Sequence, residues 1–427
     1  MFGPNRKKLS PLWTEEGLRF ASAVNEMVAF ADEHGWDQWQ RGEPEDRRSK
    51  SMASGVLKLL RQANREGSID EFRRDFPPAH SPFADDLDKN GTSISQILWL
   101  SETRLAFIVG TPWTSLTGYE LDLTNERLTP LERTHALATS PDGRHIARVS
   151  PEGISISEDW DGSPTTRLRL PSYEREGKPL HQFTQLHVFP GGRRVLTVCE
   201  DGIYLVDEHG SRLVHPEPDP DEAEWTPYVD MAHAAVSPDG ELICVGDQCS
   251  MHRVLDRDGR QVARIGLASS YPHHATFSSE GSVLAMNSCH FYNGGTITVP
   301  TDRVHGLETK DYISSETPEP CKLLDESMRI YASTTLPGQF LFGGAYGYVR
   351  ALNLDGETLW QHHVGSSISG LAISPDGRTM AIGSSSGMLH IVDMDQSEPD
   401  PNQIGTGSHV ERRRWIFWRG EKKPLRW

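Results

Sequence analysis

The sequence predicts an all-β protein, a seven-bladed β-propeller with a small N-terminal α-helical appendage. Three observations predict it: a recurring phrase, the distance at which it recurs, and a composition rich in turn residues. The phrase is a short apolar run, a Ser-Pro-Asp-Gly-type turn and a second apolar run. It stands at Ser140-Pro141-Asp142-Gly143, Ser237-Pro238-Asp239-Gly240 and Ser374-Pro375-Asp376-Gly377. Variants stand at Phe189-Pro190-Gly191-Gly192 and Ser278-Ser279-Glu280-Gly281, with looser copies at Ser101-Glu102-Thr103 and Leu336-Pro337-Gly338. The turns begin at 101, 140, 189, 237, 278, 336 and 374, the spacing of four-stranded propeller blades. The 38 Gly and 28 Pro among 427 residues suit many short strands joined by tight turns. Pro presets φ at the second turn position, and Gly takes the positive φ that other residues resist. Each blade has apolar faces that only its neighbours can cover, so the ring must close.

The first element, residues 1–90, reads as helical. Thr14 is placed to cap a helix with Glu15 and Glu16 in its first turn, where the helix dipole favours carboxylates. Leu18, Ala21, Val24, Val28 and Ala31 follow at helical spacing, and Gly35 ends the run. A second stripe, Met52, Val56, Leu59 and Leu60, stops at Gly67, and Ser68 to Phe72 start a third short helix. Helices this short bury little alone, so they are expected to pack on the propeller.

The second element, residues 91–410, is the propeller. Blade seven shows its parts well: 370–374, the turn, 379–383, a second turn at Ser384-Ser385-Ser386-Gly387, then Met388 to Asp393. Two long insertions break the rhythm. Residues 301–322 are polar with little strand pattern. Residues 215–228 hold Glu217, Asp219, Asp221, Glu222 and Glu224 between prolines, followed by Trp225 and Tyr228. Proline stiffening lowers the entropy lost on binding, and Trp and Tyr are residue types that anchor interfaces. These seven residues are the expected partner-binding set.

The third element, residues 411–427, carries seven Arg or Lys against two Glu and is rich in aromatics. It is expected to close the ring as a last strand completing the first blade. Trp415 and Phe417 would then lie on one face, with Arg414, Ile416 and Trp418 on the other. The chain as a whole has net charge −17, so its body is strongly acidic. That disfavours nucleic acid and anionic membranes as partners and suits a basic protein.

These repeats resemble the WD40-like and quinoprotein-like (PQQ-like, YVTN-type) propellers of bacteria over roughly residues 95–397. The Ser-Pro-Asp-Gly turns carry the first likeness, and Gly347 to Trp360 the second. The resemblance implies the fold. It does not extend to the WD40 hydrogen-bond signature: blade seven has Ser386 where an Asp is typical, and third strands end in Val-Asp or Leu-Asp. The quinone of the second group is not implied, since its enzymes are exported and Trp13-Thr14-Glu15-Glu16 replaces the apolar core of a signal peptide.

His135, His233, His273 and His274 lie just before first strands, and His290, Cys249 and His252 lie in second-to-third-strand turns. These are rim or channel candidates, with no local HxxxH or CxxC pair to define a metal. No nucleophile elbow, P-loop or dinucleotide fingerprint occurs. The five cysteines are odd in number and suggest no disulfide framework. The expected function is non-catalytic protein binding through one rim and the acidic-aromatic loop, in the cytoplasm, without cofactor or membrane span. A sharper form is neutralisation of a basic toxin or effector, as immunity proteins do. The alternatives are a propeller enzyme or small-molecule or metal binder using the rim histidines, and a scaffold subunit docking through its N-terminal helices.

Overall fold

The computed structural model describes residues 6–111, 115–171, 183–218, 225–313, 318–394, 396 and 398–427. Between residues 94 and 426 it forms seven antiparallel sheets with strands in sequential order, six of four strands and a last of five. They span 94–131, 136–168, 185–215, 233–265, 271–325, 330–363 and 368–426, blades one to seven. First strands of neighbouring blades touch around the ring, and that of blade seven touches that of blade one. Each of the seven recurring turns, at 101, 140, 189, 237, 278, 336 and 374, joins the first to the second strand of a blade.

The recurring turn is a small hydrogen-bonded unit. Ser140 Oγ donates to Asp142 Oδ1 at 2.5 Å and accepts from the His145 amide at 3.0 Å, while Gly143 takes φ 70°. Ser237 with Asp239 and Ser374 with Asp376 repeat the arrangement at 2.5 and 2.6 Å. The three serines are buried and Asp142, Asp239 and Asp376 bend the chain outside. The hydroxyl satisfies a backbone donor at the start of the second strand, which the tight turn would otherwise leave unpaired.

Ring closure shows in the packing. Each of the seven blade-to-blade interfaces has its own apolar cluster. Blade one meets blade seven through Ile94, Leu105 and Phe107 against Ala381, Leu389 and Ile391. Ser369 Oγ donates to the Ile94 carbonyl at 2.7 Å across the same seam.

The helical layer differs from expectation in its start. Helix α1 runs Arg6–His34, so Thr14 is interior rather than a cap, and Trp13 and Gly17 join Ala21, Val24, Val28 and Ala31 on the buried stripe while Leu18 is exposed. The upstream turns form because Arg6 reaches Asp75 at 2.7 Å and Trp13 donates to the Pro77 carbonyl at 2.8 Å. Helix α2 (Lys50–Glu66) is capped by Ser49 and ended by Gly67 at φ 75°. Helix α3 is Ile69–Asp75, and a fourth, α4, Ala84–Asn90, carried no clear sequence signal. Their apolar faces share one cluster with Met388, Ile416, Trp418, Leu425 and Trp427 of blade seven.

The C-terminal segment does not complete blade one, whose four strands all come from 94–131. Instead Val410–Ile416 pairs with Met388–Asp393 as the outer strand of blade seven, and Leu425–Arg426 adds a fifth. The two faces alternate: Trp415 and Phe417 pack toward blade one, Ile416 and Trp418 toward the helices. The physical reason is local. The strand is next in the chain after the third strand of blade seven, with residues 394–409 between them, and blade one already has its outer strand. The basic residues pair internally, Arg413 and Arg426 with Glu126 at 2.6 and 2.7 Å, and Arg413 also with Asp70.

Within the insertion at 301–322, residues 304–313 dock against blade four. Leu307 and Asp311 carbonyls accept from the Arg264 and Leu267 amides at 2.9 Å, and Val304 and Ile313 enter the interface core of blades four and five. Gly266 makes this possible, because a Cβ there would run into the Lys310 carbonyl. Gly266→Ala is expected to destabilise by about 1–3 kcal/mol, the range for overpacking. Chemical denaturation checks it, and an unchanged midpoint would show that the loop does not dock.

Candidate functional site

An antiparallel four-stranded blade puts its first-to-second and third-to-fourth turns on one rim. The second-to-third turns and the blade-to-blade connections share the other. The Ser-Pro-Asp-Gly turns therefore mark one rim, and the 215–228 connection belongs to the opposite one. On that rim a cleft of about 650 Å³ opens between blades three, four and five. Tyr228, Tyr271 and Tyr312 line it, exposed by 60, 43 and 65%. Carboxylates from Glu217, Asp247 and Asp311 complete it.

Arginines hold two of these acids. Arg253 reaches Glu217 at 2.7 Å and Arg264 reaches Asp311 at 3.9 Å. Asp247 is buried at the inner end, 3.4 Å from His215 Nε2, and accepts from the Cys249 amide at 3.2 Å. Burial alone would raise its carboxyl pKa, but the His215 contact, the Ser250 hydroxyl and the Asp230 amide bring it below the usual carboxylate value. Burial and the nearby Asp247 and Asp230 charges push the Cys249 thiol up, so it is held protonated rather than poised as a nucleophile.

Beside the cleft an aromatic ridge continues over blades five and six. Tyr271 stacks on His290 at 6.5 Å, His290 meets Phe291 at 4.6 Å, and Tyr292 meets Tyr346 at 5.8 Å. Phe291 is 74% exposed with φ 51°, and Met231 is 46% exposed with φ 50°. A bulky apolar residue in left-handed backbone is strained, and such strain clusters at functional positions. Arg329 ties the two together: Nη1 donates to the Phe291 carbonyl at 2.5 Å and Nη2 lies 3.6 Å from Met231 Sδ. Its Nε donates to His273 Nε2 at 3.1 Å, while His273 Nδ1 donates to the Ile330 carbonyl at 2.7 Å. Burial and then the Arg329 charge lower the His273 pKa to about 4, so it stays neutral and can accept from the guanidinium.

The residues expected from sequence scatter. Glu217 and Tyr228 line the cleft, whereas Trp225 is half-buried and lies outside its lining. Asp219, Asp221, Glu222 and Glu224 fall outside the described residues. Of the histidines, His290 stands exposed on the ridge. His274 is half-buried with Nε2 2.8 Å from Ser333 Oγ, its pKa lowered to about 3, mainly by burial. His135 sits apart in blade two, half-buried. His233 is not a rim residue: it is fully buried within the blade, 3.2 Å from His252. Sequence reading missed Phe291, Tyr292, Tyr346, Met231 and Arg329. The signal available was an aromatic pair, Phe291-Tyr292, directly before the turn residues Asn293-Gly294, where polar residues are the rule.

Among the described residues no helix is long and apolar enough to cross a membrane. No protein-family model matches the chain, and no curated protein does. Among solved structures, the β-propeller domain of Cps50 (Swd1) from Myceliophteria thermophila is similar at 11% identity and a TM-score of 0.46, covering 69% of this chain and 95% of that one.

Proposed function

We propose that the rim of blades four to six is a protein-binding face and that the chain works without catalysing a reaction. One observation carries this reading: Phe291 and Met231, both exposed and both in left-handed backbone, are fixed by the single guanidinium of Arg329. Rigid, exposed apolar anchors of this kind dominate binding energy at interfaces. The adjoining tyrosine cleft with Glu217, Asp247 and Asp311 favours a partner that presents Lys or Arg, whose cations also sit well over aromatic faces. The net charge of −17 supports the same preference at longer range. A cytoplasmic protein that neutralises a basic toxin or effector fits these features. Five free cysteines, four of them buried, suit a reducing compartment.

The test is affinity measurement against the stoichiometric partner captured by the intact protein. Phe291→Ala and Met231→Ala are each expected to weaken binding by about 10-fold or more. Glu217→Gln with Asp311→Asn should mainly slow association and flatten its salt dependence. Arg144→Ala on the opposite rim serves as control. Binding that survives the ridge variants and fails with Arg144→Ala would move the function to the other face.

A further inference from the structure

The interior of blade four, beneath the cleft-lining Asp247 and Met251, holds a second constellation. Its first, second and third strands are His233–Val236, Leu242–Gly246 and His252–Asp256. The register pairs His233 with Gly246, Ala235 with Cys244, and Cys244 with Val254. Side chains alternate along a strand, so His233, Cys244 and His252 project from one face of the sheet, the face that packs on blade five. Gly246 lies between the two imidazoles on the middle strand, and a Cβ there would stand 2.8 Å from His233 Cε1. The glycine thus opens the slot in which the rings meet, with Cys244 two residues along the same strand.

All three side chains are wholly buried. One ligand-type atom from each lies within 4.8 Å of the other two. His233 Nε2 and His252 Nδ1 are 3.2 Å apart. Two nitrogens bound at ~2.0 Å to one tetrahedral or trigonal centre stand roughly 3.3–3.5 Å apart, so the rings are already near the span of two ligands on one ion. The outer nitrogens, His233 Nδ1 and His252 Nε2, have no hydrogen-bond partner among the described residues. The inner nitrogens face one another across the space that a shared ion would occupy.

We infer that His233, Cys244 and His252 form a buried site for a cuprous ion. The charge of the site chooses among metals. A thiolate and two neutral imidazoles carry −1 together, so a monovalent ion gives a neutral complex in a dry interior, where an uncompensated charge is costly. Zn²⁺ would leave +1 there and normally takes a fourth ligand. Thiolate is also the soft donor that selects Cu⁺. The step balances without redox: the Cys244 S–H bond breaks, an S–Cu bond forms, the proton leaves to solvent, and each imidazole gives a lone pair.

The experiment uses the full chain carrying Cys249→Ala, which removes the exposed thiol as a competing ligand. Cu⁺ is offered anaerobically as a coloured chelator complex, and Zn²⁺ in a parallel titration. One Cu⁺ per chain is expected, with an absorption-edge fit of one sulfur and two nitrogens. Cys244→Ala in that background should weaken Cu⁺ retention by more than about 100-fold. Should Cys244→Ala fail to fold, the thermal midpoint of the Cys249→Ala chain must still rise with stoichiometric Cu⁺. No retained copper, copper retention indifferent to Cys244, or stoichiometric Zn²⁺ in its place would each overturn the site.

Discussion

Replacing Glu411 by Gln is expected to destabilise the protein by about 3–5 kcal/mol at pH 7, the range for breaking a buried ion pair by removing one partner. Glu411 sits where three elements meet. Its carboxylate accepts from His390 Nδ1 at 2.7 Å on the third strand of blade seven and from Arg414 Nη2 at 2.8 Å on the outer strand. Arg73 of α3 approaches at 3.3 Å and donates as well to the Glu411 carbonyl. A neutral amide in place of the carboxylate would leave Arg73 and Arg414 without a counter-charge in a buried setting. Burial alone would raise the Glu411 pKa, but Arg414, the His390 hydrogen bond and Arg73 overcome it and hold the carboxyl well below its ordinary value. His390, buried and next to Arg414, is pushed down and stays neutral. The sign of the pH dependence follows. A depressed folded-state pKa contributes stability that is full above the unfolded value near ~4.3 and is lost as pH falls through the folded one. The native protein should therefore lose stability from about pH 5 downward, and Glu411→Gln should flatten that limb. Urea unfolding at pH 7 and pH 4 measures both. A loss under ~1 kcal/mol at pH 7 would show that the cluster behaves as a solvated surface pair.

Trp13→Ala is expected to cost about 3–5 kcal/mol, as for a fully buried aromatic. Trp13 has no exposed surface and lies 5.7 Å from Phe83 and 6.3 Å from Trp427, ring to ring. Its indole N–H donates to the Pro77 carbonyl. The cavity would open at the junction between helices and blade seven, so amides of α1 and α2 should exchange faster while blades two to five keep their protection. Hydrogen exchange read by mass spectrometry separates the two regions. Uniform loss over all blades would mean that layer and ring unfold as one unit. No loss in α1 would mean that Trp13 does not hold the layer in place.

The seven blades were legible because the Ser-Pro-Asp-Gly turn is determined locally. Its serine, aspartate and glycine satisfy one another within five residues, whatever surrounds them. The start of α1 was less legible because Arg6 and Trp13 find their partners, Asp75 and the Pro77 carbonyl, more than sixty residues away. The C-terminal strand showed its alternation in sequence but not its sheet, since the alternation of Trp415, Ile416, Phe417 and Trp418 says which sides are apolar and not which strand lies alongside. The acidic loop was visible as composition, and among its described residues His215, Pro216, Glu217 and Tyr228 line the cleft.

The repeat and its count could be read from the chain alone, because turn chemistry and spacing are properties of neighbouring residues. Tertiary structure alone decided which side chains share a site. Met231, Phe291 and Arg329 come from three separate connections, and His233, Cys244 and His252 from three strands of one blade. Such groups meet only once the ring has closed and the register is set, since proximity across strands depends on pairing that no local pattern encodes.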